Sequence, residues 1–201
     1  KRKRRKKIKN VNVLYERMIE SDLKKNKNNL IGLEFTDILR KGKWLLFEIG
    51  DYYLCSHLRM EGKYFIKNHD EEINKHEHVI FYFNDFTLRY DDTRKFGRMK
   101  LINKDELESY FNNLGPDANK VNDINEIYNK IHKSSNMIKT ILLDQSIISG
   151  IGNIYADEIL FDSKISPFKI GKEITKEELE SILKSSKKIL NEAIKYKGTT
   201  I

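Results

Sequence analysis

One cysteine, Cys55, stands among the 201 residues, which excludes an internal disulfide and any four-cysteine zinc site within this stretch. Set in the apolar run YYLCSHL, it reads as a buried core thiol. Proline is almost as scarce, with Pro116 and Pro167 alone, and there are neither internal repeats nor low-complexity segments outside the opening basic run. No apolar run is long enough to span a membrane and no secretory signal is visible, so the expectation is a soluble protein of a bacterial cytoplasm, nucleoid-associated. The opening run also resembles a nuclear-localisation patch, a weaker pattern. Net charge is scarce too. Of the formal +8, residues 1–7 (KRKRRKK) carry seven, which leaves about +1 for everything else. A surface for nucleic acid must therefore come from cations segregated on one face, with the basic tail adding a salt-sensitive, sequence-independent attraction to phosphates. A solvated tail with no partner is the alternative.

What is present changes period part-way along the chain. From Ile8 to about Ile102 short runs such as NVNVLY, KWLLFEIG, YYLCSHL, HVIFYF and TLRY alternate with turn or charged residues and predict antiparallel strands in a sandwich. Gly50-Asp51 and Asn84-Asp85 are the candidate hairpin turns. After Lys104 the pattern is helical. DELESYFNNL predicts a short helix ending at Gly115-Pro116, where the prolyl ring favours extended backbone and a domain boundary. Thr175 and Glu178 form a capping box for a long amphipathic helix to about Lys197, with Gly198 as its stop. The fold class expected is α+β: a basic tail over 1–7, a β-sandwich over 8–116 and a helical domain over 117–201.

Residues 138–167, IKTILLDQSIISGIGNIYADEILFDSKISP, are the most informative stretch. They join two helical patterns through a turn in which Gly150 and Gly152 permit sharp bending and close approach of another molecule, and Asn153 then opens a helix whose first N–H groups lack partners inside it. Such an end attracts phosphate, although a Gly-x-Gly before a helix, taken alone, is usually just a tight connection. The stretch closely resembles the helix-two-turn-helix of the formamidopyrimidine-DNA glycosylase family, bacterial base-excision repair enzymes for oxidised purines. RKGKWLLFEIG, SHLRMEGKY, HEHVIFYF and LRYDDTRKFGRMKL resemble the same family in the same order, so the likeness covers most of the chain.

The resemblance implies a function and a set of residues. An enzyme that acts on a damaged base extrudes it from the duplex and must fill the space left behind. Met60, Arg94 and Phe96 match the family's three void-filling residues: an apolar wedge, a cation for the orphaned base, and an aromatic inserted between base pairs. Taken alone, Met60 and Phe96 read as ordinary core and Arg94 as a surface charge. Asn153 and Lys43 match the family's phosphate clamp, Lys139 another basic position facing DNA, and His76 a DNA-contacting histidine. Lys43 also matches the proton donor for β-elimination; by itself it reads as a lysine that blunts a strand edge. His76 and His78 lie on one strand face, yet no supporting Cys or third His makes them a metal pair.

The chemistry implied is attack of an amino-terminal proline nitrogen on the sugar C1′, loss of the base, and strand cleavage by elimination from the Schiff base. The sequence begins Lys-Arg-Lys-Arg, and both prolines are internal. Beyond Gly-Thr-Thr-Ile the family pattern continues into a base-enclosing loop and a four-cysteine zinc finger. The expectation is thus a section of a repair glycosylase and abasic-site lyase that acts on damaged or abasic double-stranded DNA as a monomer, with no cofactor in this section, one zinc ion in the complete family protein, and little or no activity as it stands. Two other readings are a non-catalytic damaged-DNA-binding module and an oxidised-pyrimidine glycosylase of the related endonuclease branch.

Overall fold

The computed structural model describes residues 6–20, 27–121, 123–196 and 198. Residues 1–5 of the basic run lie outside them, as do Lys197 and residues 199–201. The chain divides into two compact units, 1–111 and 112–201.

Among the described residues of the first unit, alternating apolar and polar residues build eight strands: β1 Asn10–Val13, β2 Phe35–Lys41, β3 Trp44–Ile49, β4 Tyr52–His57, β5 Lys63–Lys67, β6 Glu77–Tyr82, β7 Thr87–Asp91 and β8 Arg98–Asn103. They form two four-stranded antiparallel sheets, ordered β1-β6-β7-β5 and β2-β3-β4-β8. Inward residues from both sheets, among them Phe47, Leu54, Val79, Phe81, Tyr90 and Met99, make one core, and each fully buried side chain of this size contributes roughly 1.5–3 kcal/mol. Cys55 is buried too, next to Leu54 on β4 and so on the other face of its sheet, and burial pushes its thiol up to about 12. Gly50-Asp51 closes β3 onto β4 in register Ile49↔Tyr52, with Gly50 at φ +55; Asn84-Asp85 turns β6 into β7, held by Phe83 N–H donating to Phe86 O at 2.9 Å. Lys6 pairs with Asp85, and the backbone of Lys7 forms an isolated antiparallel bridge with that of Glu34.

Pairing of β6 with β7 shifts between Glu77 and Val79. The extra residue is His78, and the bulge turns it inward so that its Nε2 meets the Asp92 carbonyl at 2.9 Å. This side chain has a structural partner. Among the described residues no three His, Cys, Asp or Glu side chains converge as metal ligands would.

The unit ends in a single turn, α1 Leu107–Tyr110, shorter than the sequence predicts because Asn112, Asn113 and Gly115 follow at once. The second unit holds α2 Ile124–His132, α3 Ile138–Leu143, α4 Asn153–Asp162 and α5 Lys176–Lys195 around a core that includes Ile127, Ile138, Ile148, Ile159 and Leu179. The capping box is formed: Glu178 N–H donates to Thr175 Oγ1 at 3.2 Å and Thr175 N–H to Glu178 Oε2 at 2.9 Å. Gly198 N–H closes the far end onto Ala193 O at 2.8 Å. No helix of the described residues is long and apolar enough to cross a membrane.

Candidate nucleic-acid interface

Lys43 sits in the two-residue turn between β2 and β3, after Gly42 at φ +56. The turn faces the end of β4, because Trp44 pairs with His57. The His57 ring meets the Trp44 ring edge-on at 5.0 Å, and its Nδ1 accepts the Arg59 N–H at 3.0 Å, which leaves Nε2 as the N–H nitrogen. Burial, then the Arg59 charge, hold the Lys43 ammonium below the usual lysine range. Burial, then Arg59, then Lys43, pull His57 to about 4. Three potential cations thus crowd one corner, an arrangement that an anion would relieve.

From His57 the chain runs into a tight loop, closed by Gly62 N–H donating to Leu58 O at 3.0 Å. At its tip Met60 is 70% exposed. A second loop follows β7. Asp92, fully buried, accepts the Arg94 N–H at 3.1 Å and the Gly97 N–H at 2.7 Å, and the loop between projects Arg94 and Phe96, the latter 47% exposed. Met60 and Phe96 are therefore not core, as their composition alone would suggest. Arg94 Nη1 lies 3.1 Å from Met60 Sδ, and its guanidinium carbon 4.7 Å from the Phe96 ring centre. The three side chains form one exposed cluster of sulfur, cation and aromatic.

His76 belongs to the neighbouring loop between β5 and β6. Its N–H donates to Asn74 Oδ1 at 3.0 Å, and its carbonyl accepts the Asp92 N–H at 3.0 Å, which ties it to the loop of Arg94. Arg89 anchors this segment from below. All five of its N–H groups are used, on Thr87 Oγ1, the carbonyls of Asn68, Glu71 and Glu72, and Glu77 Oε2 at 3.0 Å. Lys67 Nζ lies 2.8 Å from the other Glu77 oxygen, close enough for ion pairing, although that oxygen accepts no aligned hydrogen bond. These partners hold the Glu77 carboxyl below its usual range against the opposing effect of burial.

In the second unit the turns between α3 and α4 are organised by Gln145. Its amide donates to the carbonyls of Leu143 at 3.0 Å and Ile151 at 3.1 Å, and its Oε1 accepts the Gly150 N–H at 2.9 Å. Gly150 has φ +98, a conformation that favours glycine; Gly152 is extended at φ −114 and serves as the N-cap of α4 without a side-chain cap. The bend therefore rests on Gly150, not on both glycines. Asn153 is the first helical residue and is exposed, beside N–H groups that no intrahelical carbonyl can reach. Lys139, on α3, pairs with Asp157 of α4 at 2.7 Å. The sequence reading treats Lys139 as a cation facing outward and does not anticipate this partner, which lies eighteen positions away.

The structure thus brings Met60, Arg94 and Phe96 into contact, ties His76 to them through backbone, and sets Lys43 beside the strand end that leads to Met60; Lys139, Gly150, Gly152 and Asn153 share the helix-turns-helix of the other unit. Sequence reasoning overlooks His57, Arg59 and Asp92. Register could have found the first, since a histidine ending the strand opposite KGKW must lie beside Lys43. Asp92 has the signature of a residue that accepts backbone N–H groups two positions on.

Comparison with known proteins agrees across both units. Residues 1–99 match the formamidopyrimidine-DNA glycosylase N-terminal domain, and residues 114–201 the formamidopyrimidine-DNA glycosylase H2TH domain. The formamidopyrimidine-DNA glycosylase of Oceanobacillus iheyensis is 41% identical over 200 residues, covering 96% of this chain and 71% of that protein; that of Mycoplasma genitalium is 48% identical over 171 residues, covering 83% and 60%. Among solved structures, Lactococcus lactis Fpg in complex with DNA containing an abasic site superposes with a TM-score of 0.93 at 38% identity, covering 98% of this chain and 74% of that one. MutM in complex with DNA containing carbocyclic 8-oxo-G gives a TM-score of 0.93 at 39% identity, covering 98% and 75%. Such identity over nearly the whole length, on the same two-unit order, places this chain in the formamidopyrimidine-DNA glycosylase family.

Proposed function

We propose that this chain grips double-stranded DNA at a damaged or abasic nucleotide and belongs to a base-excision repair glycosylase and abasic-site lyase for oxidised purines. The observation that carries the reading is the contact of Met60, Arg94 and Phe96 in one exposed cluster, presented by two loops of a rigid sandwich. When a nucleotide leaves the stack, an apolar thioether and a ring can occupy the gap while the guanidinium donates to the base left without a partner. Lys43, His76, Asn153 and the N–H groups opening α4 supply the phosphate contacts that hold a bent duplex in register, with Lys139 as a further cation once Asp157 yields it. Lys43 is also the proton donor for β-elimination: an ammonium held below its usual range releases its proton more readily. We place the protein in the bacterial cytoplasm at the nucleoid as a monomer, and assign the sandwich to 8–116 and the helical DNA-binding domain to 117–201. The rival reading, a binding module without chemistry, uses the same contacts.

Binding should prefer an abasic duplex over an intact one, because a ready-made gap spares the unstacking cost. Equal affinity for the two in an anisotropy titration at moderate salt would remove the void-filling role. Asn153→Ala should weaken binding by about 1–2 kcal/mol while the melting curve stays put; a variant that unfolds instead would make the turn merely structural. Borohydride should trap little covalent complex between this 201-residue chain and abasic DNA, since both its prolines are internal and a Schiff base needs a neutral amine held at C1′. Efficient trapping would point to a lysine nucleophile.

A further inference from the structure

The three clustered side chains come from two loops, and something must set one loop against the other. Between them lies Tyr90, fully buried on β7 and packed against the Tyr64 ring at 5.1 Å. A Cβ placed on Gly62 or on Gly97 would fall on the Tyr90 hydroxyl. One of these glycines stands two residues after Met60 and the other directly after Phe96, so the hydroxyl threads between the backbones of both loops. Only glycine permits that approach on either side. The hydroxyl donates to Asp92 Oδ2 at 3.4 Å, the same oxygen that accepts Gly97 N–H, while Oδ1 accepts Arg94 N–H. The Asp92 backbone adds its donation to His76 O and accepts from Lys95 N–H at 3.2 Å and from the His78 ring. Burial, with the Asp92 charge behind it, raises the Tyr90 hydroxyl far above its ordinary range, so it stays a donor at every working pH.

We propose that Tyr90 and Asp92 are positioning residues that fix the register between the Met60 loop and the Arg94–Phe96 loop, and so determine how strongly the protein prefers a vacated nucleotide to intact duplex. The inference rests on the void-filling reading of those three side chains. Neither residue reaches the surface, so neither touches DNA; their effect passes through the rigidity of a cluster that must enter a gap as one piece.

The test measures affinity of the full chain for matched abasic and intact duplexes, in Met60→Ala, Asp92→Asn, their double variant and Tyr90→Phe. Asp92→Asn swaps one acceptor oxygen for a donor that faces an N–H, and should cut the abasic preference about tenfold with intact-duplex affinity unchanged. Met60→Ala should cut it in the parent protein and add little in the Asp92→Asn background, because a misplaced wedge has less to lose. Independent, additive losses, or an equal loss on both duplexes, would reduce the pair to ordinary core packing. If Met60→Ala alone leaves the preference intact, the void-filling reading fails and this inference with it; if Met60→Ala acts but Asp92→Asn does not, this inference alone fails. Should Asp92→Asn lose its cooperative melt, Tyr90→Phe decides, since it keeps the buried ring and removes only the hydroxyl. It should lower the preference about threefold, and an unchanged preference would overturn the proposal.

Discussion

At the corner where β3 meets β4, charge and fold pull in opposite directions. Beyond burial, Arg59 disfavours protonation of Lys43, and Arg59 with Lys43 that of His57, so the free protein carries strain that a phosphate would relieve. For His57 the folded value, about 4, lies below the ordinary 6.5 of an unfolded chain. Between those limits the unfolded state binds more protons, so stability should fall as pH drops from 6.5 to 4. His57→Asn, which retains an acceptor for the Arg59 N–H, should flatten that slope in melting curves across this window; an unchanged slope would assign it to other groups. Lys43→Met should raise the melting temperature at neutral pH, since a half-buried ammonium beside Arg59 is removed, and should weaken binding to abasic DNA. A lower melting temperature would show that the stem packing of Lys43 outweighs its charge. Residues of this kind are only partly legible in sequence. Lys43 is found through the motif around it, whereas His57 becomes visible only once strand register sets it opposite Trp44.

Among elements, legibility follows burial. The runs that predict strands correspond to β1, β3, β4, β6 and β7, of which all but β1 lie inside their sheets. The ones left unmarked, β2, β5 and β8, are all edge strands, where fewer positions need to be apolar: β2 has no fully buried residue, and β5 keeps Ile66 exposed. Alternation weakens where one neighbour is missing. The long helix α5 is legible at both ends because its caps are chemical, a Thr-x-x-Glu box and a glycine. The turns between α3 and α4 are legible as a glycine bend, but their organiser is not, since Gln145 carries no turn signature of its own. Gln145→Ala would strand the Leu143 and Ile151 carbonyls and the Gly150 N–H together. It should cost about 2–3 kcal/mol of stability and displace Asn153, which would weaken binding to intact and abasic duplexes alike. Full stability by denaturant titration would mean that Gly150 alone maintains the bend.

For the molecule as a whole, the decisive quantity is how little net charge the body carries once the opening basic run is set aside, about +1 of the formal +8. Affinity for a polyanion then depends on placement: Lys43 with Arg59, and Arg94 with Lys95, on loops of the sandwich, and Lys139 on α3. Each phosphate neutralised releases a counterion, so the logarithm of the binding constant should fall with the logarithm of salt with a slope of about −3 to −5 if four or five such contacts form. Removing residues 1–5 should make this slope shallower and lower the affinity for intact and abasic duplexes by the same factor, because a run of like charges attracts phosphates whatever the state of the bases between them. Arg94→Ala should do the reverse, lowering the preference for abasic DNA while changing the slope by no more than about one charge. If shortening the basic run instead erases the abasic preference, recognition lies in that run, and the cluster of Met60, Arg94 and Phe96 loses its part in it.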